Sequence, residues 1–203
     1  MTVSTPPVAV VDYGIGNLHS AHKALLRAGV DARLTSDPAE VDRAGAVVLP
    51  GVGNFGSCMR ALRATGLVGA VQNAVDSQRP FLGICVGMQM LFESSEESPD
   101  EPGLGILPGV VEWLPAEVKR PQMQWNRLAA RRDDPVVADG DWMYFVHSLS
   151  CRPSDPATTV TEVDYGGRVV AAVRSGRLLA TQFHPEKSGA AGLAMLRRWA
   201  DSL

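Results

Sequence analysis

Cys85 stands between two glycines in Phe81-Leu82-Gly83-Ile84-Cys85-Val86-Gly87-Met88-Gln89. A short apolar run, Pro80 to Ile84, leads into it, and a helix-forming run, Met88 to Phe92, follows at once. Gly-x-Cys-x-Gly is the thiol counterpart of the strand–turn–helix nucleophile elbow. The turn is so tight that side chains beside the nucleophile would collide, which is why glycine occupies both sides. Such a turn lifts the sulfur off the backbone and sets it at a helix N-terminus, where free N–H groups and the dipole favour thiolate. The competing reading is a buried cysteine at a strand–helix turn, packed as a small hydrophobe.

A nucleophilic cysteine needs a base to take its proton, and the base needs a third group to hold its tautomer. Four histidines are present. His19 and His22 lie three apart with no third ligand near them, which favours a solvated helix face over a metal site. His147 ends the run Tyr144-Phe145-Val146-His147. His184 lies in Thr181-Gln182-Phe183-His184-Pro185-Glu186-Lys187-Ser188. In extended chain, residues two apart share a side, and Pro185 keeps His184 extended. Glu186 can then accept the Nδ1–H of His184 and leave Nε2 to face a thiol. The alternative for this pair is a satisfied histidine beside a helix-capping acid. The tetrahedral oxyanion of acyl transfer also needs donors, and removing one costs about 3 kcal/mol. The N–H of Val86 follows the nucleophile directly. The turn Pro50-Gly51-Val52-Gly53 offers a second donor at Val52, or is an ordinary connection.

These residues require a scaffold that brings strand ends to one edge. Val8 to Val11, Asp31 to Leu34, Ala46 to Leu49 and the run into Cys85 read as buried strands. Helices over about Leu18 to Arg27, Ser57 to Ala64 and Leu67 to Ser77 alternate with them. That grammar implies right-handed crossovers and an open, mostly parallel, flavodoxin-like sheet with helices on both faces. From about Gly109 the pattern changes. Val110 to Leu114, Trp125 to Ala130, Trp142 to His147, Thr158 to Val163, Val169 to Arg174 and Leu178 to Phe183 read as strands of an added antiparallel section. The stretch Glu93 to Glu101 reads as a surface loop. Gly189 to Leu203 reads as a closing helix with Leu193, Leu196 and Trp199 inward.

The 203 residues suit a single α/β domain, 1–203. Hydrophobic residues make up 45% and the net charge is −3, so no basic surface invites sequence-independent nucleic-acid binding. The apolar runs are too short to span a bilayer, and Met1 to Pro7 lacks the pattern of a signal peptide. Three cysteines with no pairing pattern fit a reducing cytoplasm. Gly14-Ile15-Gly16 lacks the third glycine of a dinucleotide fingerprint, so neither cofactor nor metal is expected.

With these motifs in hand, the chain resembles the class I (triad-type) glutamine amidotransferases over nearly its whole length. The resemblance is closest to the branch formed by the glutaminase subunits of imidazole glycerol phosphate synthases in histidine biosynthesis. The Cys85 and His184 segments look like the superfamily's triad motifs. Asp12-Tyr13-Gly14-Ile15-Gly16-Asn17-Leu18, Leu49-Pro50-Gly51-Val52-Gly53-Asn54-Phe55-Gly56 and Tyr144-Phe145-Val146-His147-Ser148 look branch-specific. Pro121-Gln122-Met123-Gln124-Trp125-Asn126 departs from the pattern, which more often has His and Gly where Gln122 and Gln124 stand.

The resemblance implies that Cys85 attacks the carboxamide of L-glutamine, with His184 shuttling protons and Glu186 orienting it. It implies that Gly53, Gln89, Glu97, Ser148 and Leu149 hold the α-amino and α-carboxylate groups. It implies a heterodimer with a (β/α)8-barrel cyclase subunit, faced by Ile15, Asn17, Met123, Trp125 and Lys187. The cyclase uses the released ammonia to make imidazole glycerol phosphate and an aminoimidazole carboxamide ribotide. No synthase domain is recognisable in this chain, so the acceptor site is expected on another polypeptide. The glycines flanking Val52 allow a peptide flip, and the free subunit is expected to be a poor glutaminase until its partner shifts that equilibrium. Three rival readings keep the fold. One is a glutaminase serving a chorismate-using synthase, another a γ-glutamyl hydrolase or cysteine peptidase, and the third a non-catalytic binding module.

Overall fold

The computed structural model describes residues 7–16 and 18–203. Asn17 and nearly all of the N-terminal segment Met1 to Pro7 therefore lie outside the described residues. The first half runs β1 (Val8–Val11), α1 (Leu18–Arg27), β2 (Ala32–Thr35), α2 (Pro38–Arg43), β3 (Ala46–Gly51), α3 (Phe55–Ala64), α4 (Val68–Asp76), β4 (Phe81–Cys85) and α5 (Val86–Gln89). The second half adds β5 (Ser94–Ser95), β6 (Gly109–Trp113), β7 (Gln122–Arg127), β8 (Ala129–Ala130), β9 (Trp142–His147), β10 (Leu149–Pro153), β11 (Thr159–Asp164), β12 (Arg168–Ser175), β13 (Leu178–Thr181) and α6 (Gly189–Ala200).

The main sheet has the order β2-β1-β3-β4-β13-β12-β11-β8. Its first five strands are mutually parallel, and β12, β11 and β8 continue it antiparallel. Every residue of β1, β3, β4 and β13 is buried, as befits strands covered on both faces. The covering helices are amphipathic: α1 buries Leu18, Ala21 and Leu25, and α6 buries Met195, Leu196 and Trp199. Phe55, Phe81, Phe92, Phe183 and Trp199 are fully buried between sheet and helices. Each such side chain stabilises the fold by roughly 1.5–3 kcal/mol relative to exposure. The remaining strands form a three-stranded sheet, β10-β6-β5, and a two-stranded antiparallel ribbon, β7-β9.

The sheet class matches the sequence reading, and several details differ. The expected strand Trp125 to Ala130 is two: β7 begins earlier, at Gln122, and β8 pairs with β11 at the edge of the main sheet. β10 was not expected, because Leu-Ser-Cys-Arg-Pro neither alternates nor runs apolar. The acidic stretch is only partly a surface loop, since Ser95 is buried and β5 pairs with β6. In α6 the inward residue is Met195, while Leu193 is half-buried. Among the described residues, no helix is long and apolar enough to cross a membrane.

Candidate active site

β3, β4 and β13 are parallel neighbours, so their C-terminal ends meet at one edge, with Gly51 opposite Cys85 and Ile84 opposite Thr181. Open α/β sheets bind ligands at that edge. Cys85 itself has φ +55° and ψ −112°, a left-handed backbone that a non-glycine residue adopts at a cost of about 1–3 kcal/mol. The surroundings enforce it. A Cβ on Gly87 would run into the Leu49 carbonyl, and one on Gly83 would crowd Ala180 and Leu91 at 3.1 and 3.2 Å. This is the sharp elbow that the flanking glycines foretold.

The helix after the elbow differs from expectation. It spans only Val86–Gln89, and then loosens into i→i+3 turns at Leu91 and Phe92. One turn carries little macrodipole. A side chain supplies the polarisation instead: Gln182 Nε2 donates to Cys85 Sγ at 3.7 Å, and Gln89 Nε2 donates to Gln182 Oε1 at 3.0 Å. Both glutamines are buried. Gln182 was missed as a functional residue because its partner is 97 residues away in the chain. Its only signal was an amide in an otherwise apolar strand end.

His184 stands just beyond β13 and is buried. Its Nδ1–H donates to Glu186 Oε1 at 2.7 Å, the orienting contact inferred from the spacing. Among the described residues, Nε2 has no hydrogen-bond partner. Burial by itself would lower the pKa of the ring. The hydrogen bond to Glu186, with the charges of Cys85 and Glu186, outweighs it and pushes the pKa up to about 9. The loop is tied down at three points. His184 N–H donates to Tyr144 O at 3.0 Å, Ser188 Oγ accepts from Tyr144 N–H at 3.0 Å, and Ser188 O–H donates to His184 O at 2.6 Å.

Cys85 and His184 line one cavity of about 360 Å³. Val52 and Val86 border it, and so do Gly53, Gln89, Glu97, Ser148 and Leu149. Glu97 Oε2 accepts from Phe55 N–H at 2.7 Å, capping α3 beside Asn54, whose Oδ1 accepts from Ser57 N–H at 2.9 Å. His147 also lines the cavity. Its Nδ1–H donates to Leu149 O at 2.7 Å. Burial, together with the charge on His184, pushes its pKa down to about 4 against the opposing bond to Leu149. His147 is thus a neutral imidazole facing a charged one. Of the remaining pair, His19 is exposed, as expected, whereas His22 bonds the Ala32 carbonyl at 2.8 Å and is a structural residue.

The expected partner-facing residues divide. Met123 and Trp125 project from the outer face of the β7-β9 ribbon, 62% and 47% exposed, beside Trp142 at 56%. Trp142 was not singled out from the sequence. Lys187 and Val146 rim the cavity mouth, so this apolar face adjoins it. Ile15 is half-buried and packs on the core. On the ribbon's inner side the atypical Gln122 is buried opposite His147, and the amides of Gln122 and Gln124 both donate to Asn126 Oδ1.

The sequence profile of the family described as glutamine amidotransferase class-I matches residues 9–202. The imidazole glycerol phosphate synthase subunit HisH of Synechococcus sp. (strain JA-3-3Ab) is 46% identical over 201 residues, covering 96% of this chain and 93% of that protein. The protein of the same name from Halobacterium salinarum is 47% identical, with coverages of 96% and 92%. A crystal structure described as a glutamine amidotransferase superposes with TM-score 0.76 at 22% identity, covering 95% of this chain and 98% of the other. That likeness speaks to the fold.

Proposed function

The chain belongs to the class-I glutamine amidotransferases, and from that premise we propose that it is the glutaminase subunit of an imidazole glycerol phosphate synthase in histidine biosynthesis. It forms one amidotransferase domain over 1–203, works in the cytoplasm, hydrolyses L-glutamine and delivers ammonia to a (β/α)8-barrel cyclase. The observation that carries the mechanism is the His184–Glu186 contact of 2.7 Å at the edge where Cys85 is held in a left-handed turn.

The steps follow from that geometry. Sγ of Cys85 attacks the side-chain carbonyl carbon of glutamine with the thiol's proton already held on His184 Nε2. Glu186 stabilises the resulting imidazolium and keeps the ring's orientation. The N–H groups of Val86 and Val52 receive the oxyanion. Collapse breaks the C–N bond, His184 returns the proton to the leaving nitrogen, and ammonia departs. Water, deprotonated by His184, then attacks the thioester, and glutamate leaves as the thiol is restored. Glu97 takes the substrate's α-ammonium. The second N–H of the Gln89 amide, with backbone N–H groups at Gly53, Ser148 and Leu149, takes its carboxylate.

Ammonia released to neutral water is mostly protonated and no longer nucleophilic, so the acceptor must close over the cavity mouth. Met123, Trp125 and Lys187, with Ile15, form the docking side. Exposed Trp and Met are typical interface anchors. In a reconstituted complex, Cys85→Ala abolishes product formation from glutamine and leaves formation from added ammonium intact. Retained glutamine use by that variant would remove Cys85 from its role and overturn the mechanism.

A further inference from the structure

The Pro50–Gly53 turn leaves the β3-β4 ladder after Gly51, whose partner is Cys85, and Gly53 has φ +95°. Beyond the ladder it is held by two buried side chains that the mechanism above does not use. Tyr13 O–H donates to the Pro50 carbonyl at 2.8 Å. Cys58 S–H, on α3, donates to the Val52 carbonyl at 3.4 Å. Both residues are essentially excluded from solvent. Burial raises the pKa of the phenol and of the thiol, so both keep their protons and stay donors at neutral pH.

The two anchored carbonyls bracket a single peptide group, the one joining Gly51 to Val52. Rotation about ψ of Gly51 and φ of Val52 turns that peptide, with its Val52 N–H, while both bracketing carbonyls stay in place. The surroundings are tight there. A Cβ on Gly51 would sit 2.6 Å from Gly87 N, 2.9 Å from Tyr13 Oη and 3.0 Å from Val86 C. The space beside the Gly51 Cα is therefore filled by the Tyr13 hydroxyl together with the backbone that carries the Val86 donor.

We infer that Tyr13 and Cys58 are positioning residues for the oxyanion-binding turn: by pinning the Pro50 and Val52 carbonyls they fix the height and register of the Val52 N–H above Cys85, and confine any reorientation to the Gly51–Val52 peptide. This rests on the glutaminase reading. The effect acts on the transition state, where charge develops, more than on the bound substrate, so it reads out in kcat.

The test compares Tyr13→Phe, Cys58→Ala and Cys58→Ser with wild type in complex with the cyclase. Tyr13→Phe and Cys58→Ala lower kcat for glutamine roughly ten- to a hundredfold, the scale of a misplaced group, while KM and ammonium-dependent synthesis hold. Cys58→Ser restores most of kcat, because its hydroxyl donates to the same carbonyl. Alkylation of Cys85 by iodoacetamide, a displacement that forms no oxyanion, keeps its wild-type rate in all three. Unchanged kcat in Tyr13→Phe and Cys58→Ala overturns the inference. So does a parallel loss of alkylation, or an equal kcat loss in Cys58→Ser and Cys58→Ala. A wild-type complex that cannot use glutamine at all would instead overturn the glutaminase reading, and this inference with it.

Discussion

Two imidazoles reach one cavity from different strands and are tuned in opposite directions. His184 comes off the parallel sheet after β13, meets Glu186 at 2.7 Å and Cys85 across the cavity, and has its pKa raised to about 9. His147 comes off the end of the β7-β9 ribbon, hydrogen-bonds the Leu149 carbonyl, and has its pKa lowered to about 4. Both rings are buried, so desolvation acts against charge in both. Partners decide the difference. A carboxylate and a thiol overcome the cost of burying a cation, whereas one neutral carbonyl does not. The parallel side holds the charged ring, and the ribbon side presents a neutral one beneath an aromatic outer face.

The largest effect is expected on the parallel side. His184→Asn keeps a donor near the position of Nδ1 for Glu186 and removes the proton carrier. Glutamine-dependent kcat falls roughly 10⁴-fold or more, measured in the complex, while ammonium-dependent synthesis persists. Stability responds as well. A folded-state pKa of about 9 against an ordinary 6.5 gives stabilisation that is fully present below pH 6.5 and is lost as pH rises through about 9. Denaturation midpoints of wild type therefore fall across that window, and those of His184→Asn fall less. Equal slopes would erase the contrast from its charged side.

The same division explains what the sequence disclosed. The parallel half was legible because its strands are continuous apolar runs and its sharp features are marked locally. Glycines flank Cys85, and Pro185 with Glu186 follows His184, so the sharp turn and the His184–Glu186 contact could be read from neighbours in the chain. The ribbon half is specified by distant contacts. β10 is a strand because it pairs with β6, although Ser150, Arg152 and Pro153 do not look like one. Gln182 acts on Cys85, and Glu97 caps Phe55, through folding alone. His22 carries no such local mark: its partner, the Ala32 carbonyl, lies ten residues away in the chain.

A smaller effect probes the ribbon's outer face. Trp125 is about half exposed and meets Tyr144 edge-on with ring centroids 5.9 Å apart. Trp125→Ala costs the isolated chain less than about 1 kcal/mol. It weakens association with the cyclase by about 2 kcal/mol, roughly 30-fold in Kd, as expected for an aromatic anchor. Calorimetric titration of the two subunits checks both numbers against a melting curve of the free chain. Unchanged affinity would show that this face is not the docking side. The comparison would then shift to Lys187 at the cavity mouth.

The smallest effect on turnover, and the sharpest test of the contrast, is His147→Asn. Asparagine keeps an N–H near the position of Nδ1, so the bond to the Leu149 carbonyl survives while the titration disappears. Turnover at neutral pH, where the native ring is already neutral, changes by less than roughly threefold. Stability changes only in acid. A folded-state pKa of about 4 against 6.5 means that the unfolded chain binds the proton first as pH falls. Wild type loses stability from about pH 6.5 down to about 4, by an amount on the order of 3 kcal/mol. His147→Asn lacks that component and melts higher than wild type relative to their neutral values. The two histidine variants thus flatten opposite limbs of one stability curve, His184→Asn the alkaline and His147→Asn the acid. If both variants altered the same limb, the two rings would be titrating as one coupled pair and the division of labour between sheet and ribbon would fail.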